Sequence, residues 1–351
     1  MKNYLSLLVL FSAMLYYGNA AAQDYSTASA RPLFAAHDMI RIGLRADFNV
    51  LLDDVGDERI EHSGFLDYYD GTDTLVLQVK IKTRGNFRRD EDNCTFPPLR
   101  INFKKKEVVG TLFEGMDKIK LVTHCRPNSK GYRQNVLSEY LVYRVFNILT
   151  DTSFRVRPAS INYIDTPSGK NTQESYAFFI EPDDVLAERI GGQEIKQKYL
   201  MQDSTRYEHI SRLAVFQYFV GNTDWAVSTL HNIKLFVTDT LKPAYAIPYD
   251  FDWCGVVDAF YAQPQPRFEL TSVTERLFRG FCRTREELEQ EFDYFKMKKV
   301  EIYQLAENFE FLTKRQRKDI LNYFDDFYEI IENEAMIKLE FMDKCLTRDK
   351  F

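Results

Sequence analysis

The stretch that decides the fold runs from Phe219 to Gly255. It opens with Phe219-Val220-Gly221-Asn222-Thr223-Asp224-Trp225 and continues through His231-Asn232-Ile233-Lys234-Leu235-Phe236-Val237. It closes with Ile247-Pro248-Tyr249-Asp250-Phe251-Asp252-Trp253-Cys254-Gly255. Gly221-Asn222 is a helix stop, because glycine accepts the left-handed conformation in which helices end. Ile233 to Val237 and Ala244 to Pro248 are short apolar runs around the turn Thr238-Asp239-Thr240, the pattern of a hairpin. A hairpin holds two loops side by side at one end. One loop carries Asp224 and Asn232, and the other carries Asp250 and Asp252. Three carboxylates and an amide therefore converge on one point. Such a cluster repels itself unless a cation or a basic side chain sits among it. Oxygen donors without sulfur suit Mg²⁺ or Mn²⁺ better than zinc.

Working upstream, Tyr207 to Val220 has the apolar face of a helix. Tyr132 to Leu149 reads as another, with Val136, Leu137, Tyr140, Leu141, Val145 and Ile148 at helical spacing. The first half is otherwise strand-rich. Leu75, Leu77, Val79 and Ile81 alternate with Val76, Gln78, Lys80 and Lys82, and the run ends in the turn Arg84-Gly85-Asn86. Leu99 to Lys104 and Lys118 to Val122 alternate in the same way. Ser160 to Ile164 and Ser175 to Glu181 follow, joined by the turn Thr166-Pro167-Ser168-Gly169. Downstream, Thr284-x-x-Glu287 and Thr313-x-x-Gln316 read as capping boxes that open two more helices. The last is expected to run to about Cys345. The organisation expected is an α+β chain with a strand-rich lobe over 23–191, containing one long helix, and a helical lobe over 192–351.

Met1 to Ala22 reads as a secretory signal sequence. Lys2 supplies the positive start, Tyr4 to Tyr17 the apolar run and Ala20-Ala21-Ala22 the small residues, so cleavage is expected before Gln23. The run is shorter than the ~20 apolar residues of a membrane span. Export, to the periplasm or beyond, follows as an expectation. The hydrophobic share of 45% against 28% charged residues excludes disorder as the main state. A net charge of −6 argues against a dedicated nucleic-acid binder. None of the five cysteines forms a C-x-x-C pair, which argues against structural zinc. Cys94–Cys125 and Cys254–Cys282 are the expected bridges, leaving Cys345 free.

The ordered motifs resemble the CotH kinase family, the atypical kinase-like proteins of spore coats. Arg84-Gly85-Asn86 after a strand is similar to the family's opening. Tyr176-Ala177-Phe178-Phe179-Ile180-Glu181 is similar to its strand ending in glutamate. Asn222-Thr223-Asp224 with His231-Asn232, then Ile247 to Trp253, resembles its most distinctive pair of motifs. The likeness covers roughly Val79 to Gly255. It implies a two-lobed protein-kinase-like fold and an enzyme using ATP with Mg²⁺ or Mn²⁺. Asp224 would be the catalytic aspartate, Asn232 and Asp250 would hold metal, and Asp252 would assist. Arg84 would lie over the phosphates, and Glu181 would flank the nucleotide. Lys120 would contact phosphate and pair with Glu139 of the long helix, with Lys104 the other lysine candidate.

The chain departs from the pattern in four ways. It has no G-x-G-x-x-G loop and no His-Arg-Asp motif. Asn232 follows Asp224 by eight positions, against about five in ordinary protein kinases. Phe96-Pro97-Pro98 stands where the family usually places lysine. The acceptor implied is a hydroxyl of an envelope or secreted protein. Alternatives are a non-catalytic pseudokinase or binding module of the cell envelope, and transfer to a sugar, lipid headgroup or other small molecule. Among the histidines, His231 is expected to order the loop around Asp224.

Overall fold

The computed structural model describes residues 31–170 and 175–347. The signal sequence read over Met1 to Ala22 lies outside them. The strands are β1 (Ile40–Ala46), β2 (His62–Tyr69), β3 (Thr74–Thr83), β4 (Leu99–Phe103), β5 (Lys118–Val122), β6 (Val156–Asp165), β7 (Ser175–Ile180), β8 (Gln193–Ile195), β9 (Ile233–Val237) and β10 (Tyr245–Pro248). The helices are α1 (Phe48–Asp53), α2 (Lys130–Leu149), α3 (Asp183–Arg189), α4 (Tyr207–Phe219), α5 (Arg285–Glu307), α6 (Lys314–Glu332) and α7 (Glu334–Ile337). No helix among the described residues is long and apolar enough to cross a membrane.

The fold is mixed α/β. The first seven strands close into a barrel in the order β1-β2-β3-β4-β5-β7-β6. Neighbours are antiparallel except at the seam, where β1 runs parallel to β6 from Ile40 beside Ala159 to Ala46 beside Asp165. Alternation explains the filling. In β3, Leu77, Val79 and Ile81 point inward, while Gln78 and Lys80 face out. Closure was not part of the sequence expectation, because β1 and β2 were not assigned there.

Strand β7 is apolar on both faces, and each face serves a different core. Phe179 packs inside the barrel, and Phe178 packs under α2. Helix α2 lays Leu137, Leu141 and Val145 on that outer face. Its own core runs on through α4, the small sheet β10-β9-β8 and the helical pair α5–α6. Phe219 at the end of α4 joins them, stacked on Phe324 with ring centroids 4.6 Å apart and edge-on to Phe327 at 4.8 Å. Aromatic pairs of this kind add to area burial.

Thr284 and Glu287 form the expected capping box, and Thr313 caps α6 by accepting from Gln316 N. The last helix is shorter than expected. It stops at Asn333, whose extended backbone breaks the helix and whose side chain caps α7. The cysteine pairing is half as expected. Cys94–Cys125 is formed, but Cys282 pairs with Cys345, and Cys254 is a buried free thiol. The correction has a backbone cause: Cys282 N donates to Leu346 O at 3.1 Å, which brings the C-terminal segment beside Cys282. Cys254 is turned into the helical core instead.

Candidate active site

The two loops that carry the acidic residues are tied together at their bases. Gly255 N donates to Gly221 O and Val256 N to Val220 O, each at 3.1 Å, and Tyr249 N donates to Asn232 O at 3.0 Å. Gly221 is required here. It has φ +68, and a Cβ would come within 2.0 Å of the Tyr323 hydroxyl. The left-handed turn swings the chain out of α4 into Asn222–Trp225. Asn232 and Asp250 also sit at positive φ (50° and 64°). Asn and Asp tolerate that region better than other side chains, so the backbone holds both in fixed directions.

Asp224 is the hub of the first loop. Its Oδ1 lies 2.7 Å from His231 Nε2 and accepts from Gln265 Nε2 at 2.7 Å. Its Oδ2 accepts from Asn232 Nδ2 at 2.9 Å, and the same amide also donates to Asp224 O at 2.9 Å. A carboxylate offers about four lone-pair sites. Three are used, and one on Oδ2 is left. Hydrogen bonding to Asp224 raises the pKa of His231 above its ordinary value, against an opposing effect of burial. Arg279 braces the loop by donating to the carbonyls of Thr223 and Trp225.

Asp250 is held differently. Its backbone N donates to the Tyr143 hydroxyl of α2 at 2.8 Å. Among the described residues its carboxylate has no hydrogen-bond donor. Asp252, two residues on, is buried and accepts from the Tyr261 hydroxyl at 2.8 Å. Burial, and then the charge of Asp250, push its pKa up to about 7, with Arg88 opposing. Glu139 of α2 faces the same group from behind. Burial, then Asp252 and Asp250, raise its pKa well above the carboxylate range, and its Oε1 has no hydrogen-bond partner. The counter-charge is Arg88. Its buried guanidinium donates to Thr123 O at 2.5 Å and stays charged because Tyr261, Asp252, Glu139 and Asp250 outweigh its burial.

The two acidic loops border a cleft of about 600 Å³. Asp224, Asn232, Asp250 and Asp252 line it together with Arg59, Arg84, Arg88, Phe87 and Trp253. Arg84 makes no side-chain hydrogen bond or ion pair among the described residues, so a cation is presented to the cleft. The Cys94–Cys125 bridge anchors the segment that follows Arg88.

The remaining candidates lie elsewhere. Lys120 does not meet Glu139. It pairs with Asp183 at 3.4 Å, over the Tyr249 ring, and burial lowers its pKa. Asp183 also accepts from Lys234 Nζ at 2.5 Å, and Lys234 reaches Glu194 at 2.8 Å. The expected lysine–glutamate pair fails because β5 aims Lys120 toward the start of α3, while Glu139 is enclosed with Arg88. Lys104 is exposed and bonded to Gln78 and Glu107. Glu181 is buried in a bidentate pair with Arg189. Neither Lys104 nor Glu181 borders the cleft. Sequence reasoning missed Arg88, Gln265 and Asp183. Arg88 had a faint signal, its place four residues after Arg84 in one basic turn. Gln265 lies in a Pro-rich loop that carries no signal of its own.

Among the described residues no group of three or more His, Cys, Asp or Glu side chains is gathered closely enough to cage a metal alone. The donor set still fits Mg²⁺ or Mn²⁺ brought with phosphates. Such ions use one or two carboxylates, with phosphate and water supplying the rest. Asp250 has a carboxylate without a donor among the described residues, and its charge, which adds to burial in raising Asp252 and Glu139, is what a cation would offset.

No family model and no curated protein matches the chain. One solved structure similar to it is described as the Golgi casein kinase, at 9% identity and a TM-score of 0.30, covering 91% of this chain and 79% of that one.

Proposed function

We propose that the cleft binds a nucleotide triphosphate and that the protein is a kinase-like phosphotransferase, with the barrel and the helical part as its two lobes. The observation that carries this reading is one cleft lined by both signs of charge. Arg84, unpaired among the described residues, lines it together with an Asp250 carboxylate that has no donor and an Asp224 tied to Asn232. A phosphate chain with its cation is the ligand complementary to both charges.

Asp250 would hold the cation, with Asn232 through its amide oxygen and Asp252 beside it. When bound, the cation neutralises charge on the phosphates. Arg84, with Arg59, orients the phosphates. Asp224 takes the acceptor hydroxyl at the open site of Oδ2 and receives its proton, while Asn232, His231 and Gln265 fix the carboxylate. The acceptor is proposed to be a hydroxyl of an exported protein. The Cys94–Cys125 and Cys282–Cys345 bridges fit an oxidising compartment. The test is Asp224→Asn, which should keep nucleotide binding and lose transfer; undiminished transfer would overturn the role of Asp224.

A second reading is a non-catalytic nucleotide-binding module. It is favoured by the three contacts on Asp224, which leave one lone-pair site of its carboxylate for an acceptor hydroxyl. Stabilisation by nucleotide without turnover on any acceptor would support it.

A further inference from the structure

A second cavity, of about 400 Å³, shares no residue with the cleft. It lies where the last turns of α2 meet the start of β6 and the segment before β1, with Glu301 of α5 also lining it. Arg144 enters it from α2 and Arg155 from the residue preceding β6. Arg144 donates to the Tyr140 hydroxyl at 3.2 Å, and neither arginine has an acidic partner within ion-pair distance among the described residues. Asp151 and Glu301 line the cavity yet leave both guanidiniums unpaired. Burial, together with Arg144, Arg157 and Arg155, pushes the pKa of His37 at its edge down to about 4. The ring is therefore neutral near pH 7, and the field that acts on it is positive.

We infer that this cavity is a second ligand site, in which Arg144 and Arg155 together hold one anionic head group, a phosphate or a carboxylate. Two guanidiniums offer forked donors that match the paired oxygens of either group. Asp151 and Glu301 limit the ligand to a single anionic group and exclude a polyanion. His37 also lines the cavity and offers a ring N–H to the same oxygens. The inference stands apart from the nucleotide reading, because the two sites have no residue in common.

The experiment is a titration of the purified chain with inorganic phosphate, followed by ³¹P NMR, and with ¹³C-labelled acetate. Saturable binding of at least one anion is expected in the wild-type protein and in Asp250→Ala and Arg84→Gln. Which anion binds more tightly identifies the head group. Arg144→Gln and Arg155→Gln should each weaken it about tenfold or more, the loss that follows from removing a charged hydrogen bond. Both variants should fold, since among the described residues Arg155 has no side-chain hydrogen-bond partner to orphan and Arg144 has one, Tyr140. No saturable binding of either anion would overturn the inference. So would binding lost in Arg84→Gln and kept in Arg144→Gln, which would place the anion in the cleft.

Discussion

Asn232 donates through one side-chain amide to both the carbonyl and the Oδ2 of Asp224, at 2.9 Å each. The amide is aimed by a left-handed backbone at Asn232, whose main-chain carbonyl accepts from Tyr249 N of the second loop. Removing it frees the Asp224 carboxylate to rotate and leaves a part-buried carbonyl unpaired. Asn232→Ala should lower phosphoryl transfer about tenfold to a hundredfold, in line with loss of a positioning contact. Its melting temperature should fall as well, because alanine tolerates the left-handed backbone less well and the Asp224 carbonyl loses a partner. Initial rates beside a melting curve check this; a rate drop fully explained by unfolding would contradict it.

His231 should titrate above its ordinary value because Asp224 favours its protonated form. A raised histidine pKa stabilises the fold fully below the unfolded value near 6.5, and that stability is lost as pH rises through the folded value. Following the ring protons by NMR should show the raised midpoint. In Asp224→Asn the midpoint should fall back. An unchanged midpoint would mean that the hydrogen bond is not formed in solution.

Glu139 gives a second pH signature, with the opposite chemistry and the same sign. Its folded pKa is raised, so the native state holds a proton that the unfolded chain releases near pH 4.5. Stability from this residue is present at low pH and declines as pH rises above that value. Glu139→Gln keeps the neutral shape. Its melting temperature should match the wild type near pH 4 and exceed it increasingly toward pH 8. A constant offset across the range would show that Glu139 is ionised in the fold.

The hairpin between Ile233 and Pro248 was legible because it is local. Two apolar runs, a turn and a glycine stop fix where Asp224, Asn232, Asp250 and Asp252 go. Gln265 was not legible, because it reaches Asp224 through packing between distant segments, and the basic turn at Arg84 marked Arg88 only faintly. The strand alternation around Lys120 gives its face of the sheet, but not that α3 brings Asp183 to it. Barrel closure was hidden for a related reason. Strand β1 pairs in parallel with β6, more than a hundred positions away, and no turn encodes that contact. The cysteine pairing likewise depends on the C-terminal segment returning beside Cys282.

That pairing is open to a direct check. Digestion without reduction should yield Cys94–Cys125 and Cys282–Cys345 peptides. Burial holds the Cys254 thiol above its usual range, so it should resist alkylation until the protein is unfolded. Replacing Cys282 and Cys345 by serine should cost about 2–4 kcal/mol, the usual worth of such a crosslink. A Cys254–Cys282 peptide would contradict the fold of the C-terminal segment.

The central claim is that the cleft carries a metal-dependent phosphotransferase site. Its most direct test is incubation of the purified chain with γ-labelled ATP and Mn²⁺ or Mg²⁺, beside Asp250→Ala. The account predicts label transfer or ATP hydrolysis in the wild type that is abolished in the variant, with both proteins melting at similar temperatures. Equal turnover in the two, or none in a folded wild type that also fails to bind the nucleotide, would contradict it.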